Sequence, residues 1–138
     1  KKQAQNLDNI YFPGWVNREQ ISVLALFSLA ALAPFKNINN YTINIPNKIV
    51  DSLALGLPIL SPLKGEVSNM ISKHNVGFTY KEKSGESLSE CIIKLIENKM
   101  LAEKLSLNSK RLYEEKYSYD LVYGRLASHL ESLRENNE

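Results

Sequence analysis

Residues 46–51 read Pro46-Asn47-Lys48-Ile49-Val50-Asp51 and hold the densest set of groups in the chain that could do chemistry. Proline suits the first turn of a helix, because it lacks the N–H that would have no partner there. A helix beginning at Pro46 presents unpaired N–H groups and the positive end of its dipole, an arrangement that favours phosphate. Asn47 and Lys48 add donors beside that start. Asp51 lies three residues beyond Lys48, so the two side chains are neighbours on one helix surface. That surface is opposite the apolar face made by Ile49, Val50, Leu53 and Ala54. A carboxylate one turn past a phosphate-binding start can accept hydrogen bonds from a ribose diol. The same spacing fits an ordinary surface ion pair worth about 0.5 kcal/mol. Spacing alone leaves both readings open.

A second candidate loop is Phe12-Pro13-Gly14-Trp15-Val16. Other reactive side chains read as structural. Cys91 sits mid-stripe on an amphipathic pattern and His129 on an apolar face, so both are expected to pack. His74 follows Lys73 at a helix end, where a cation suits the dipole. Glu86, Glu90, Glu97 and Glu103 read as solvated helix faces. No histidines or carboxylates have metal-ligand spacing, and no metal or cofactor is expected.

Short apolar strands alternating with amphipathic helices must position these residues. Residues 9–12, closed by Pro13-Gly14, read as a first strand. Asn17, with Gln20 as capping-box partner, starts a helix that runs to about Leu26. Residues 28–33 read as a fully buried strand stopped by Pro34, and the asparagine-rich segment 35–45 as a loop. The helix from Pro46 ends at Gly56, and residues 57–60 form the next buried strand. Gly65-Glu66 opens a short helix with Val67, Met70 and Ile71 inward, and residues 76–80 are the last strand.

Three helices follow. In the first, Ser87 and Glu90 suggest a capping box, and Leu88, Cys91, Ile92, Leu95 and Ile96 form a stripe. The second covers residues 99–115. The third is capped by Ser118 and places Val122, Leu126, His129, Leu130 and Leu133 on one face. The alternation predicts a Rossmann-like parallel α/β sheet of about four strands, helices on both faces and a helical C-terminal tail. Ligands of such sheets bind at the carboxyl ends of the strands, which should bring Gly14 and Pro46 to one edge.

At 138 residues the chain fits one domain, and 43% hydrophobic with 23% charged residues is ordinary globular composition. A net charge of +2, with both signs mixed along the chain, gives no basic stripe, so nucleic acid is not indicated. One cysteine excludes an internal disulfide and fits a reducing compartment, hence a cytoplasmic location. The apolar run 21–35 is too short to span a bilayer at ~20 residues per helix. Doubly wound nucleotide-binding sheets usually have about six strands. With no initiator methionine before Lys1, the chain reads as part of a longer domain.

Three features then combine: Phe12-Pro13-Gly14-Trp15-Val16, the strand ending in Pro34, and the run from Pro46-Asn47-Lys48 to Ala54-Leu55-Gly56-Leu57-Pro58. With Lys64-Gly65-Glu66 and Val76-Gly77 after them, the chain resembles the group 1 glycosyltransferases (family 4) over nearly its whole length. The resemblance implies the latter part of the C-terminal, donor-binding domain of the two-domain GT-B fold. It implies base contacts from Gly14, Trp15 and Val16, diphosphate contacts from Ile45, Asn47 and Lys48, and ribose contacts from Asp51. Many members carry two glutamates with seven residues between them. Asp51 stands at the second, and Ile43 at the first. Isoleucine cannot hydrogen-bond a sugar hydroxyl, so either Thr42 or Asn44 takes over or the sugar is held differently.

The implied partner is a nucleotide diphosphate sugar, and the implied reaction a retaining transfer to a glycan or lipid-linked acceptor. An N-terminal acceptor-binding domain outside this chain is expected, and the full-length enzyme would work at the cytoplasmic face of the membrane. A truncated sheet would leave an open edge and apolar surface, which favours homodimers. Two alternatives stand beside this reading. One is a sugar-nucleotide epimerase of the same fold. The other is a non-catalytic, receiver-like α/β interaction module, which would need acidic residues clustered at its strand ends.

Overall fold

A computed structural model describes residues 7–135. The chain runs α1 (Arg18–Leu26), β1 (Ala31–Leu32), α2 (Asn39–Thr42), α3 (Asn47–Ala54), β2 (Ile59–Ser61), α4 (Glu66–His74), β3 (Gly77–Thr79), α5 (Gly85–Glu97), α6 (Lys99–Lys116) and α7 (Tyr119–Glu135). The three strands form a parallel sheet in the order β1-β2-β3, with Ala31 opposite Ile59 and Ile59 opposite Gly77. Gly77 makes the last pairing possible, because a Cβ there would collide with the Ile59 backbone.

Alternation along β2 divides the core in two. Ile59 joins Ile49 and Leu53 of α3, Val67, Met70 and Ile71 of α4, and Leu112 of α6. Leu60 joins Cys91 and Leu95 of α5 with Ala102 and Leu105 of α6. Helices therefore cover both faces of the sheet. The long helix α6 spans the edge of these layers and is tied to them by hydrogen bonds. Ser106 Oγ donates to the Gly56 carbonyl at 2.6 Å, and Ser109 Oγ to the Val76 carbonyl at 3.4 Å.

Local signals placed most elements. Asn17 and Gln20 form the expected capping box, with bonds of 2.8 and 2.9 Å. Gly56 ends α3 at a φ of 68°, and Asn75 ends α4 in the left-handed region at 50°. Four expectations are corrected. Residues 9–12 are not a strand: Ile10, Tyr11 and Phe12 are exposed, and among the described residues no strand lies outside β1 to pair with them. The sheet thus has three strands among the described residues. The stretch 28–33 yields a two-residue strand with Leu32 42% exposed, because β1 lies at the edge of the sheet and is paired with β2 alone. Segment 35–45 contains the helical turn α2.

The fourth correction concerns α5, which is capped three residues earlier than expected. Ser84 accepts from the Ser87 amide, while Ser87 Oγ accepts from Lys81 N, so no Ser87–Glu90 box forms. On the α5 stripe Cys91 and Leu95 are buried, but Ile92 and Ile96 face outward. The apolar face of α7 is exposed throughout, His129 with it. Among the described residues no helix is long and apolar enough to cross a membrane.

Candidate functional site

The carboxyl edge of the sheet is organised by Asn37, in the loop after β1. Its Oδ1 accepts from Lys64 N at 2.7 Å, and its Nδ2 donates to the Pro62 carbonyl at 2.9 Å and to Glu82 Oε2 at 3.0 Å. One amide therefore joins the exit loops of all three strands. The bond to Asn37 holds the Glu82 carboxyl below its ordinary range. Beneath it, Ser61 Oγ donates to the Ala33 carbonyl and accepts from Leu63 N, so no buried polar group on the strand is left unpaired.

The turn leading to α3 is fitted against this edge. Gly65 has a φ of 68°, and a Cβ there would collide with the Thr42 carbonyl oxygen, so the end of α2 lies directly on Gly65. Phe35, Tyr41 and Ile45 pack on the core beneath, with Phe35 and Tyr41 ring centroids 5.0 Å apart. Pro46 is the N-cap of α3 rather than its first helical residue, with φ −61° and ψ 143°. Its carbonyl accepts from Ile49 N and Val50 N. The amides of Asn47 and Lys48 have no partner among the described residues, and Pro46 has no N–H, so the helix start offers two open donors. Thr42 Oγ1 and Asn44 Nδ2 are both turned back, onto the Asn39 and Asn40 carbonyls. Ile43 is exposed.

Asp51 and Lys48 do not form an ion pair; among the described residues the ion pairs are Lys99–Glu103 and Arg111–Glu115, both along α6. The buried face of α3 is Ile49, Ser52 and Leu53. Val50 was expected on that face, but it lines a cleft of about 760 Å³ together with Asp51, Arg18 of α1 and the tyrosines Tyr117, Tyr119 and Tyr123. Burial raises the Tyr117 phenol above its usual range, and the nearby Glu66 carboxylate adds to the shift.

Helix α1 ends beside Leu57 and Pro58, at the entry to β2, while Arg18 at its start reaches the Asp51 cleft. Gly14 has a φ of 85° with open space around it, and Trp15 is 86% exposed. Val16 and Pro13 line a shallow depression with Glu19, Gln20, Val23 and Leu24, the face of α1 turned away from Asp51. Asn47, Lys48 and Asp51 lie on the first turns of α3, next to Ile45, while Thr42 belongs to α2 and Asn44 to the turn between the two helices. Gly14, Trp15 and Val16 are not among the residues that line the cleft. Sequence reasoning missed Asn37 and Arg18. Asn37's partners lie 25 to 45 residues away, so no local pattern announces it. Arg18 looks like any first-turn helix residue. Among the described residues no group of three or more His, Cys, Asp or Glu is placed to hold a metal ion.

A parallel sheet with helices on both faces and its loops gathered at the carboxyl edge is the Rossmann-like architecture of nucleotide-binding domains. The chain belongs to the glycosyl transferases group 1 family, whose model matches residues 1–112. The sucrose-phosphate synthase of Thermosynechococcus elongatus superposes on 96% of the chain with a TM-score of 0.75 at 16% identity, which places the fold among GT-B structures. The chain spans 33% of the length of that protein. No curated protein gives a significant sequence match.

Proposed function

We propose that this chain is part of the C-terminal donor-binding domain of a glycosyltransferase, and that it holds the nucleotide diphosphate of a sugar donor at the start of α3. The observation that carries this reading is the pair of open amides at Asn47 and Lys48, one turn before Asp51, in a chain of the group 1 family. The amides, the helix dipole and the Lys48 ammonium receive the diphosphate. Asp51, free of an ion pair with Lys48, accepts the ribose hydroxyls. The loop holding Gly14, Trp15 and Val16 runs into Arg18 at the edge of the Asp51 cleft and supplies backbone groups to the base. Thr42 and Asn44 would have to release their backbone partners to reach the sugar, because Ile43 offers it no polar atom.

In the transfer itself, negative charge grows on the departing diphosphate. Donors already aimed at that position stabilise it without reorganising, a contribution of about 2.7–4 kcal/mol for one such donor. In this reading the reaction retains anomeric configuration and the acceptor is a glycan or a lipid-linked sugar. Titration of uridine, adenosine and guanosine diphosphates into the wild-type chain and Asp51→Ala tests the assignment. Removing a hydrogen bond to a charged acceptor costs about 1.5–3 kcal/mol, or roughly ten- to a hundred-fold in affinity. Equal affinities for the best-bound nucleotide would reduce Asp51 to a surface carboxylate.

A further inference from the structure

The cleft beside Asp51 has an aromatic wall that ribose and diphosphate do not use. Tyr119 and Tyr123, on the first two turns of α7, lie against each other with ring centroids 4.3 Å apart and planes tilted by 33°. They are 68% and 53% exposed, so their outer faces remain open although the pair sits on the rim of a cavity. Val50 and Ile21 provide apolar floor, and Asp51 is the carboxylate at its side. An aromatic platform, an apolar floor and one hydroxyl acceptor match a nucleoside: a planar base joined to a vicinal diol.

We propose that the base of the donor nucleotide stacks on the Tyr119–Tyr123 pair while Asp51 holds the ribose of the same nucleoside. This rests on the donor-binding reading above and adds to it the element that grips the face of the base. Loop 13–17 reaches this cleft only through its junction with Arg18, whose side chain lines the cleft and meets the edge of the ring. Stacking is tolerant of base identity, because every base has a π-face. The corner between α6 and α7 therefore gives affinity, and Arg18 gives base preference.

The test uses pyrophosphate, uridine diphosphate, adenosine diphosphate and guanosine diphosphate, titrated calorimetrically into the full chain. Tyr119→Ala/Tyr123→Ala should weaken each nucleoside diphosphate by roughly five- to a hundred-fold while leaving pyrophosphate unchanged. Tyr119→Phe/Tyr123→Phe keeps both ring faces and should bind like wild type. On the unsubstituted chain, the base protons should move upfield in NMR spectra through the tyrosine ring currents. This second measurement decides the matter if the double alanine variant does not fold. Unchanged nucleoside diphosphate affinity in a folded double alanine variant, or no upfield shift, would mean that the tyrosines only pack α7, and would overturn the proposal. Pyrophosphate binding lost in Lys48→Ala would in that case leave the diphosphate site standing by itself. Failure of wild type to bind either pyrophosphate or nucleotide would remove the donor-binding reading and this one together.

Discussion

At the residue scale, the amide of Asn37 has more to do than any reactive side chain near the site. It gives its one acceptor to Lys64 N and its two N–H groups to the Pro62 carbonyl and Glu82, so its hydrogen-bonding capacity is nearly spent on fixing loops. The bond to Glu82 is stronger while the carboxylate is ionised, because a charged acceptor holds the N–H more tightly than a neutral carboxyl. Its pKa is lowered from 4.5 in the folded chain, first by the Asn37 side chain. A lowered carboxyl pKa means that the unfolded chain takes up protons first. The stabilisation is therefore present above about pH 4.5 and fades as pH falls through the folded value. Glu82→Gln should remove this portion of acid sensitivity, leaving a stability profile that falls less steeply below pH 4.5. Denaturant unfolding of both chains between pH 3 and 7 measures it, and parallel profiles would show that the Asn37–Glu82 bond adds nothing in solution.

At the scale of elements, the distinction between local and distant causes explains what the sequence disclosed. The capping box of α1, the stop of α3 at Gly56 and the inward face of α4 depend on residues within one or two turns, and each could be read directly. The strand expected at residues 9–12 failed because a strand is defined by a neighbour, and apolar residues there do not supply one. The α3 start was legible from Pro46, but what fixes it was not: Gly65 is 19 positions from Pro46 in sequence and touches Thr42 through bare backbone. Gly65→Ala would force a non-glycine residue into φ 68° and drive its Cβ into the Thr42 carbonyl. Strain and overpacking together should cost about 2–4 kcal/mol. Because the displaced segment leads into Asn44–Lys48, nucleoside diphosphate affinity should fall along with stability. Urea unfolding and calorimetric titration of the variant check both. Loss of stability with full affinity would detach the α2–α3 turn from ligand binding.

At the scale of the whole molecule, the proposed donor contacts occupy one edge of one small sheet, and glycosyl transfer needs more than a donor. Holding two reactants in register contributes about 7–11 kcal/mol of barrier lowering, and that gain requires an acceptor aligned against the sugar. The contacts assigned here address phosphate, ribose and base, while Thr42 and Asn44 are committed to backbone carbonyls and Ile43 is apolar. No described group is thereby poised to align an acceptor hydroxyl. The chain matches a third of the length of a GT-B glycosyltransferase, and the edge strand β1 with the exposed apolar side chains of α1 leaves surface on which further structure could pack. From these observations the isolated chain is expected to bind nucleoside diphosphates weakly and to transfer no sugar. Incubation with labelled nucleotide sugars and a pool of lipid-linked and oligosaccharide acceptors tests this, with Asp51→Ala as control. Turnover above background that vanishes in Asp51→Ala would place the complete catalytic apparatus within these residues, and the acceptor would then have to sit in the Asp51 cleft or the adjoining loops.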